Sequence, residues 1–431
     1  MEKSSHKSDT SLSTENQSLK SWWILVGALT VFYFLLYGAY LSFPPEMYYD
    51  EVYQTKTAQQ VVAGSGWNDT AHPPLIKLLI AGCIFLFGNS SWVWRLVSLF
   101  SGYGCLWLIF LIVRRWTGNM RLAFFSVMLF LLDGIPFTMS RIGMIHMGML
   151  FWMLAALFAI GQSMGLDVWN RRRGFLFAGI CFGFAVNSRI VGASAAFFLL
   201  FPLLKIWKTS ATAKFAFVRD LFFWFGVPAL LAYLLPYLYL LFNGAYGTWQ
   251  SIFEYQKNML HYHFNLTEWH TYASRWWGWP FLVRPIWLYF IDVSGANEAP
   301  ETWIRGILCI GNPVIYWVLV PAFVWNVWLA MKKQNHFSIL ILIGFLSQWL
   351  WWAFVGRVTF FLYFLTAVPF AAMMISVVLE DLWRRQGSAR ILAGVYLAAV
   401  LVSFIYWYPL YAGIPIPGAW FRQHMWFQSW I

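Results

Sequence analysis

Apolar runs of about twenty residues recur along this chain, most of them closed by a short connector that carries Lys or Arg. A helix rises 1.5 Å per residue, so roughly 20 apolar residues cross a hydrocarbon core about 30 Å thick. The composition agrees: 60% of the 431 residues are apolar and 11% are Asp, Glu, Lys or Arg, where soluble domains carry about a quarter charged. No arrangement of soluble domains hides that much apolar surface, and the chain reads as an all-α integral membrane protein. Its 29 Trp, 21 Tyr and 41 Phe suit many helix ends at two lipid-water boundaries.

The formal charge of +12 reports topology, and no nucleic-acid partner is expected. The cations cluster between apolar runs, at Arg114, Arg115 and Arg121, Arg171 to Arg173, Lys332 and Lys333, and Arg384, Arg385 and Arg390, as cytoplasmic loops do under the positive-inside rule. Residues 1–21 are polar and Ser-rich with one apolar side chain, Leu12, and are expected to form a disordered cytoplasmic tail. Residues 22–43 read as an uncleaved anchor. Further spans are expected near 94–113, 120–138, 144–164, 174–188, 190–207, 221–242, 308–330, 337–354, 358–379 and 391–411. With the N-terminus inside, 18 of the 29 Lys and Arg fall in the cytoplasm, which fixes the orientation at eleven spans. Residues 74–88 are apolar but short and contain Lys77, so they are assigned to a helix lying at the outer membrane surface. Two exterior segments remain, 43–93 and 243–306, within one transmembrane domain from 22 to 431. Four scattered Cys (Cys83, Cys105, Cys181, Cys309) form neither a disulfide framework nor a thiolate metal site.

The first exterior segment opens with Tyr48-Tyr49-Asp50-Glu51-Val52-Tyr53 and continues to His72-Pro73-Pro74-Leu75-Ile76-Lys77. One acidic and one basic cluster thus share a loop, although a solvated carboxylate pair is the plainer reading of Asp50 and Glu51 alone. Asp133-Gly134 lies well inside an apolar run that ends at Ser140-Arg141; ionisable groups at membrane depth are costly and tend to be paired and functional. Arg189 and Arg357 stand at exterior span ends, where a snorkelling side chain is the common case. The second exterior segment holds the run from Tyr255 to His263, then Arg275-Trp276-Trp277-Gly278-Trp279-Pro280 and Arg284-Pro285. On a helix His261 and His263 point to different faces and make a poor metal pair.

Together these motifs resemble the protein O-mannosyltransferase family of GT-C membrane glycosyltransferases, in its bacterial branch. The resemblance rests on Asp50-Glu51, His72-Pro73-Pro74 with Lys77, Asp133-Gly134, Ser140-Arg141, Arg189, Tyr255 to His263, Trp276 to Pro280, Arg284-Pro285, Gly311-Asn312-Pro313 and Arg357 with Tyr363 and Pro369. It implies a GT-C fold of about eleven transmembrane helices with extracytoplasmic juxtamembrane helices, in a bacterial inner or plasma membrane. Eukaryotic members carry a β-trefoil MIR module that the exterior loops here are too short to hold. Where relatives often have an acid after the Ser-Arg pair, this chain has His146.

The implied activity is inverting transfer of a hexose, mannose by default, from a polyprenyl-phosphate donor to Ser/Thr hydroxyls of exported proteins. Such a site needs one base and one cationic cradle for the departing phosphate. Asp50 is expected as the base, with Glu51 oriented toward the donor sugar or supporting it. Arg141 is the first choice for the phosphate, then His72 and Arg357, then Lys77, Arg189 and Arg284. Tyr53, Asp133, His146, His261, His263 and Trp279 are assigned to the acceptor and sugar region. No cofactor is expected to be required, a divalent ion on Asp50 and Glu51 being the alternative. The competing readings are a GT-C transferase that modifies a lipid or glycan, of the aminoarabinose-transferase kind, and a transporter with Asp133 and Arg141 on its path, for which no inverted repeat is evident.

Overall fold

The computed structural model describes residues 26–209, 213–243, 246–265, 270–293 and 302–431. The expected tail at 1–21 lies outside the described residues. The first helix, α1 (Val26–Gly38), is the described part of the anchor. It leads into α2 (Glu51–Ala63), α3 (Leu75–Phe87), α4 (Ser91–Thr117), α5 (Met120–Leu131), α6 (Gly134–Met139), α7 (Ile145–Gln162), α8 (Val168–Ser188) and α9 (Ala195–Thr209). Next, α10 (Lys214–Leu221) and α11 (Val227–Phe242) join through one π-turn, and α12 (Trp249–Asn265) follows. After β1 (Ile286–Asp292) and β2 (Trp303–Cys309) come α13 (Pro313–Trp317), α14 (Leu319–Lys333), α15 (His336–Trp349), α16 (Val368–Arg384), α17 (Gly387–Ala412), β3 (Ile416–Pro417) and α18 (Gly418–His424).

The breaks between helices are chemically marked. Gly118 ends α4 at φ 67°, and the Asn119 side chain then accepts the Arg121 and Leu122 amides to start α5, an N-cap on the far side of a C-capping glycine. The run expected as one span at 120–138 is broken at Asp133, whose carboxylate accepts the Ile135 amide and caps α6. Glycine also sets the spacing of α8 against the α10–α11 pair: a Cβ on Gly179 would meet the Phe225 carbonyl oxygen, and one on Gly183 the Ala229 carbonyl oxygen. Two small residues one turn apart let helix backbones touch where lipid supplies no hydrophobic drive.

Among the described residues six helical stretches are long and apolar enough to cross a membrane, Ser91–Thr117, Ile145–Gln162, Ile190–Thr209, Lys214–Phe242, His336–Phe354 and Gly387–Ala412. Length and composition thus account for six of the eleven crossings expected from the sequence. The expected span at 308–330 is replaced by the end of β2, a loop, the short α13 and then α14. The span expected from 358 becomes a 3-10 turn over Phe361–Thr366 before α16 begins at Val368. At 74–88 the chain does form one helix of 13 residues, about 20 Å and short of a bilayer crossing.

The mostly helical fold also carries one small three-stranded antiparallel sheet in the order β1-β2-β3. Ile286 pairs with Cys309 and Asp292 with Ile304, with a bulge between Trp287 and Tyr289, and β2 in turn pairs with β3 through Ile304 and Ile416. The sheet abuts α6 and α17, and Tyr289 donates to Glu46 at 2.7 Å. It covers the end of the bundle at which α2 begins. The basic clusters gather at the other end, where Arg121 and Arg384 both approach Glu380.

Candidate active site

The two adjacent carboxylates at the start of α2 face different surroundings. Glu51 is fully buried; its Oε1 accepts from Arg95 Nε at 3.0 Å and the Gly143 amide at 2.8 Å, and its Oε2 from Arg95 Nη2 at 3.0 Å. Arg95 spends its other donors on the Leu41 and Pro44 carbonyls, at 2.7 and 2.8 Å. The pair therefore ties α2 to α4 and to the chain leaving α1, with both Glu51 oxygens engaged. Asp50 is half-buried, and among the described residues no hydrogen bond or ion pair holds its carboxylate. It lines a cavity of about 520 Å³ with Tyr53, Gln54, Asp69, His72 and Tyr262. Burial pushes its pKa up to about 6, with Arg189 opposing and Asp69 adding to the rise.

The floor of that cavity, residues 69–72, is pinned from below and above. Lys77, buried at the start of α3, forms an ion pair with Asp69 at 2.8 Å and donates to the Asp69 and His72 carbonyls, each at 2.7 Å. From α12, Tyr255 donates to the His72 carbonyl at 2.6 Å and His263 Nε2 meets the Ala71 carbonyl at 2.8 Å. Since a carbonyl only accepts, Nε2 of His263 carries the proton and Nδ1 is a bare acceptor. The Asn187 side chain accepts the Leu75 amide at 2.9 Å, holding α3 where two prolines at 73 and 74 offer no donor. Burial, then the cations of Arg189 and Lys77 and the His263 ring, hold the pKa of His72 well below the usual imidazole value. Burial followed by Arg357 and Arg189 pushes His263 down to about 4. Both rings are neutral hydrogen-bonding groups at neutral pH.

Beyond the two imidazoles, whose centroids stand 5.1 Å apart, a second cavity of about 480 Å³ opens. Arg189, Arg357 and His263 supply its polar wall, and Ile190, Trp351 and Phe354 belong to its apolar one. Arg189 sits in the extended break after α8, its Nη1 2.7 Å from His146 Nε2 and its guanidinium carbon 4.4 Å from the Tyr363 ring centre. Because Arg only donates, His146 accepts through Nε2 and carries its proton on Nδ1. Buried Arg189 Nε, His146 Nδ1, His72 Nδ1 and His263 Nδ1 all lack a hydrogen-bond partner. Such atoms are rare in folded proteins, and four around one junction mark a place built for a polar ligand.

The remaining expected residues are placed elsewhere. Arg141, the first choice for the phosphate, is buried and donates to the Tyr37 and Ala39 carbonyls at the end of α1, with its guanidinium over the Phe137 ring. Those helix-terminal carbonyls need donors, and Arg141 supplies them. Arg284 binds the Ser429, Ile431 and Thr271 carbonyls. Asp133 is fully buried as a helix cap. Trp279 is buried, donating to Ser274 at 2.9 Å and packing on Trp352 at 5.8 Å, so it backs the apolar wall without facing a cavity. His261 is exposed and pairs with Asn265. Sequence reasoning passed over Arg95, which lies inside an apolar run, and Asp69, the partner of Lys77; a lone cation in a span beside an acidic loop was the available signal for the first.

Chemically, the junction offers a carboxylate of raised pKa facing a polar cavity, and a buried arginine with spare donors facing an apolar one. No three His, Cys, Asp or Glu side chains converge as metal ligands among the described residues.

Residues 71–239 match the family model described as dolichyl-phosphate-mannose-protein mannosyltransferase, and residues 248–430 the one described as the C-terminal four-transmembrane region of protein O-mannosyltransferase. The polyprenol-phosphate-mannose–protein mannosyltransferase of Mycobacterium tuberculosis is 26% identical, over 95% of this chain and 92% of its own. That of Corynebacterium glutamicum is 25% identical, over 86% of this chain and 83% of its own. Among solved structures, the Saccharomyces cerevisiae Pmt1-Pmt2 complex bound to the sugar donor superposes with a TM-score of 0.80 at 14% identity, covering 95% of this chain and 92% of the other. ArnT of Cupriavidus metallidurans bound to undecaprenyl phosphate gives 0.61 at 14% identity, over 91% and 74%. These two likenesses establish the GT-C fold. With both family models matched along most of its length, the chain belongs to the protein O-mannosyltransferase family of multi-pass GT-C membrane glycosyltransferases.

Proposed function

We propose that the chain transfers mannose, with inversion, from a polyprenyl-phosphate-mannose donor to Ser/Thr hydroxyls of exported polypeptides. The observation that carries this reading is the unpaired Asp50 carboxylate set beside the unpartnered donors of Arg189 and His146. The acceptor hydroxyl enters the polar cavity. Its oxygen attacks C1 of the sugar, its proton passes to Asp50, and the bond from C1 to the phosphate oxygen breaks, its electron pair leaving with the lipid phosphate. Arg189 and Arg357 hold the charge that grows there, and His146 Nδ1–H is a further donor. The phosphate is already a good leaving group, so no protonating acid is needed and one carboxylate suffices, unlike the two-carboxylate retaining scheme. The polyprenyl chain lies along Ile190, Trp351 and Phe354. Glu51 acts through Arg95 to fix the start of α2. The reaction is assigned no metal.

Orientation follows from charge. The basic clusters gather at the end of the bundle away from Asp50, which by the positive-inside rule puts that end and the N-terminus in the cytoplasm and the site on the outer face of the cell membrane.

The test is transfer of radiolabelled mannose from polyprenyl-phosphate-mannose by purified protein, to a Ser/Thr-rich peptide and in parallel to a membrane lipid extract. Label on the peptide that vanishes in Asp50→Ala is the expected result. Near-normal turnover by Asp50→Ala would remove Asp50 as the base, and label on lipid alone would move the acceptor to the lipid class.

A further inference from the structure

At the end of the bundle opposite Asp50, the ends of α4, α9, α14, α15 and α16 enclose a cavity of about 500 Å³. It carries charge of both signs and none of it serves the transfer site. Glu380 is 5% exposed. Its Oε1 is satisfied by Asn119 at 2.8 Å and Arg384 at 2.7 Å, while its buried Oε2 forms a loose ion pair with Arg121 at 3.7 Å and accepts no hydrogen bond among the described residues. Trp325 lines the same cavity, and its buried indole N–H has no acceptor. Lys205, half-buried on the wall, has only the Trp116 ring near its ammonium, at 5.5 Å; no carboxylate pairs with it among the described residues.

A buried acceptor and a buried donor that lack hydrogen bonds, with a cation that no described carboxylate pairs, around one cavity define the complement of a ligand. Leaving a buried charged acceptor unmatched costs more than the net gain of an ordinary hydrogen bond, so all three favour the same filling. The ligand must present an anion toward Lys205 and Trp325 and an N–H cation toward Glu380. A purely anionic group meets the Glu380 and Asp381 carboxylates, and a purely cationic one meets Lys205. The cavity lies at helix ends, the depth of lipid headgroups, and Leu122 and Phe337 give it apolar walls.

We propose that this cavity binds the headgroup of a zwitterionic aminophospholipid, with the phosphate on Lys205 and Trp325 and the primary ammonium on Glu380. The lipid comes from the leaflet away from the transfer site, so the inference stands independently of the acceptor and donor assigned above.

The test uses the full chain in detergent, incubated with equal amounts of dioleoyl phosphatidylethanolamine, phosphatidylcholine and phosphatidylglycerol, with retained lipid read by native mass spectrometry. Phosphatidylethanolamine should be retained about tenfold over the other two, since a trimethylammonium has no N–H for Glu380 and glycerol has no cation. Glu380→Gln should lower its retention about tenfold, leaving phosphatidylglycerol unchanged. Because Glu380 also ties α5 to α16, Lys205→Gln, which removes only a ring contact, provides a variant that keeps the fold and should lower it comparably. Equal retention of the three lipids, or unchanged retention in Lys205→Gln, would overturn the proposal. Displacement by an equal concentration of soluble O-phosphoethanolamine would overturn the lipid assignment in favour of a free solute.

Discussion

Glu51→Gln separates the two neighbouring carboxylates. The wild-type side chain takes three hydrogen bonds, two from Arg95 and one from Gly143, with both charged partners fully buried. In glutamine one oxygen becomes an NH2 group that faces a guanidinium, and Arg95 is left as an uncompensated buried charge, which costs about 3–5 kcal/mol. Unfolding entropy of about 2.1 cal/mol/K per residue gives roughly 0.9 kcal/mol per degree for a chain of this size, so the midpoint should fall by about 3–6 °C. Thermal unfolding in detergent, followed by intrinsic Trp fluorescence, measures it. Asp50→Asn, whose side chain holds no partner, should shift the midpoint by about 1 °C or less while lowering transfer by about 10²–10⁴. Replacing the whole pair, Glu51→Leu with Arg95→Met, leaves no charge buried but strips the Leu41 and Pro44 carbonyls and the Gly143 amide of their partners, so the double variant should stay destabilised, each orphaned group costing about 1–3 kcal/mol. A Glu51→Gln protein that melts with wild type yet transfers no mannose would refute the structural assignment and make Glu51 the reacting group.

Three further outcomes follow from the site. The Asp50 pKa of about 6 means the base is lost by protonation as pH falls, so kcat/KM should drop about tenfold per unit below pH 6 and stay flat just above it; a profile without that limb removes Asp50 as the titrating base. Arg189→Lys keeps the charge but not the planar fork, and should weaken donor use about tenfold or more in kcat/KM, read from donor titrations. Exhaustive chelation with EDTA should leave transfer unchanged, and loss restored by a divalent ion would bring metal into the mechanism.

Much of this was legible in the sequence because its causes are local. Apolar runs with basic ends gave helices at α4, α7, α9 and α17 close to their expected bounds, and the motif spacing identified the family. The misreadings share one origin: they depend on partners distant in the chain. Residues 303–310, Trp-Ile-Arg-Gly-Ile-Leu-Cys-Ile, are apolar enough for either a strand or a helix, and only β1 decides between them. Arg141 and Arg189 look alike as single cations at span ends. The first is consumed by carbonyls left open at the end of α1, whereas the second meets His146 through Nη1 and leaves its Nε without a hydrogen-bond partner among the described residues. Asp69 and Arg95 escaped notice because what matters about each is its partner, Lys77 and Glu51.

The His72 and His263 rings, 5.1 Å apart, stand where a polar cavity meets an apolar one, and this makes the molecule a catalyst at a phase boundary. In the proposed reaction neither reactant changes solvent: the peptide stays in water and the isoprenoid in hydrocarbon, with only a sugar crossing between them. On that proposal the spent carrier returns to the bilayer without extraction of its long lipid tail.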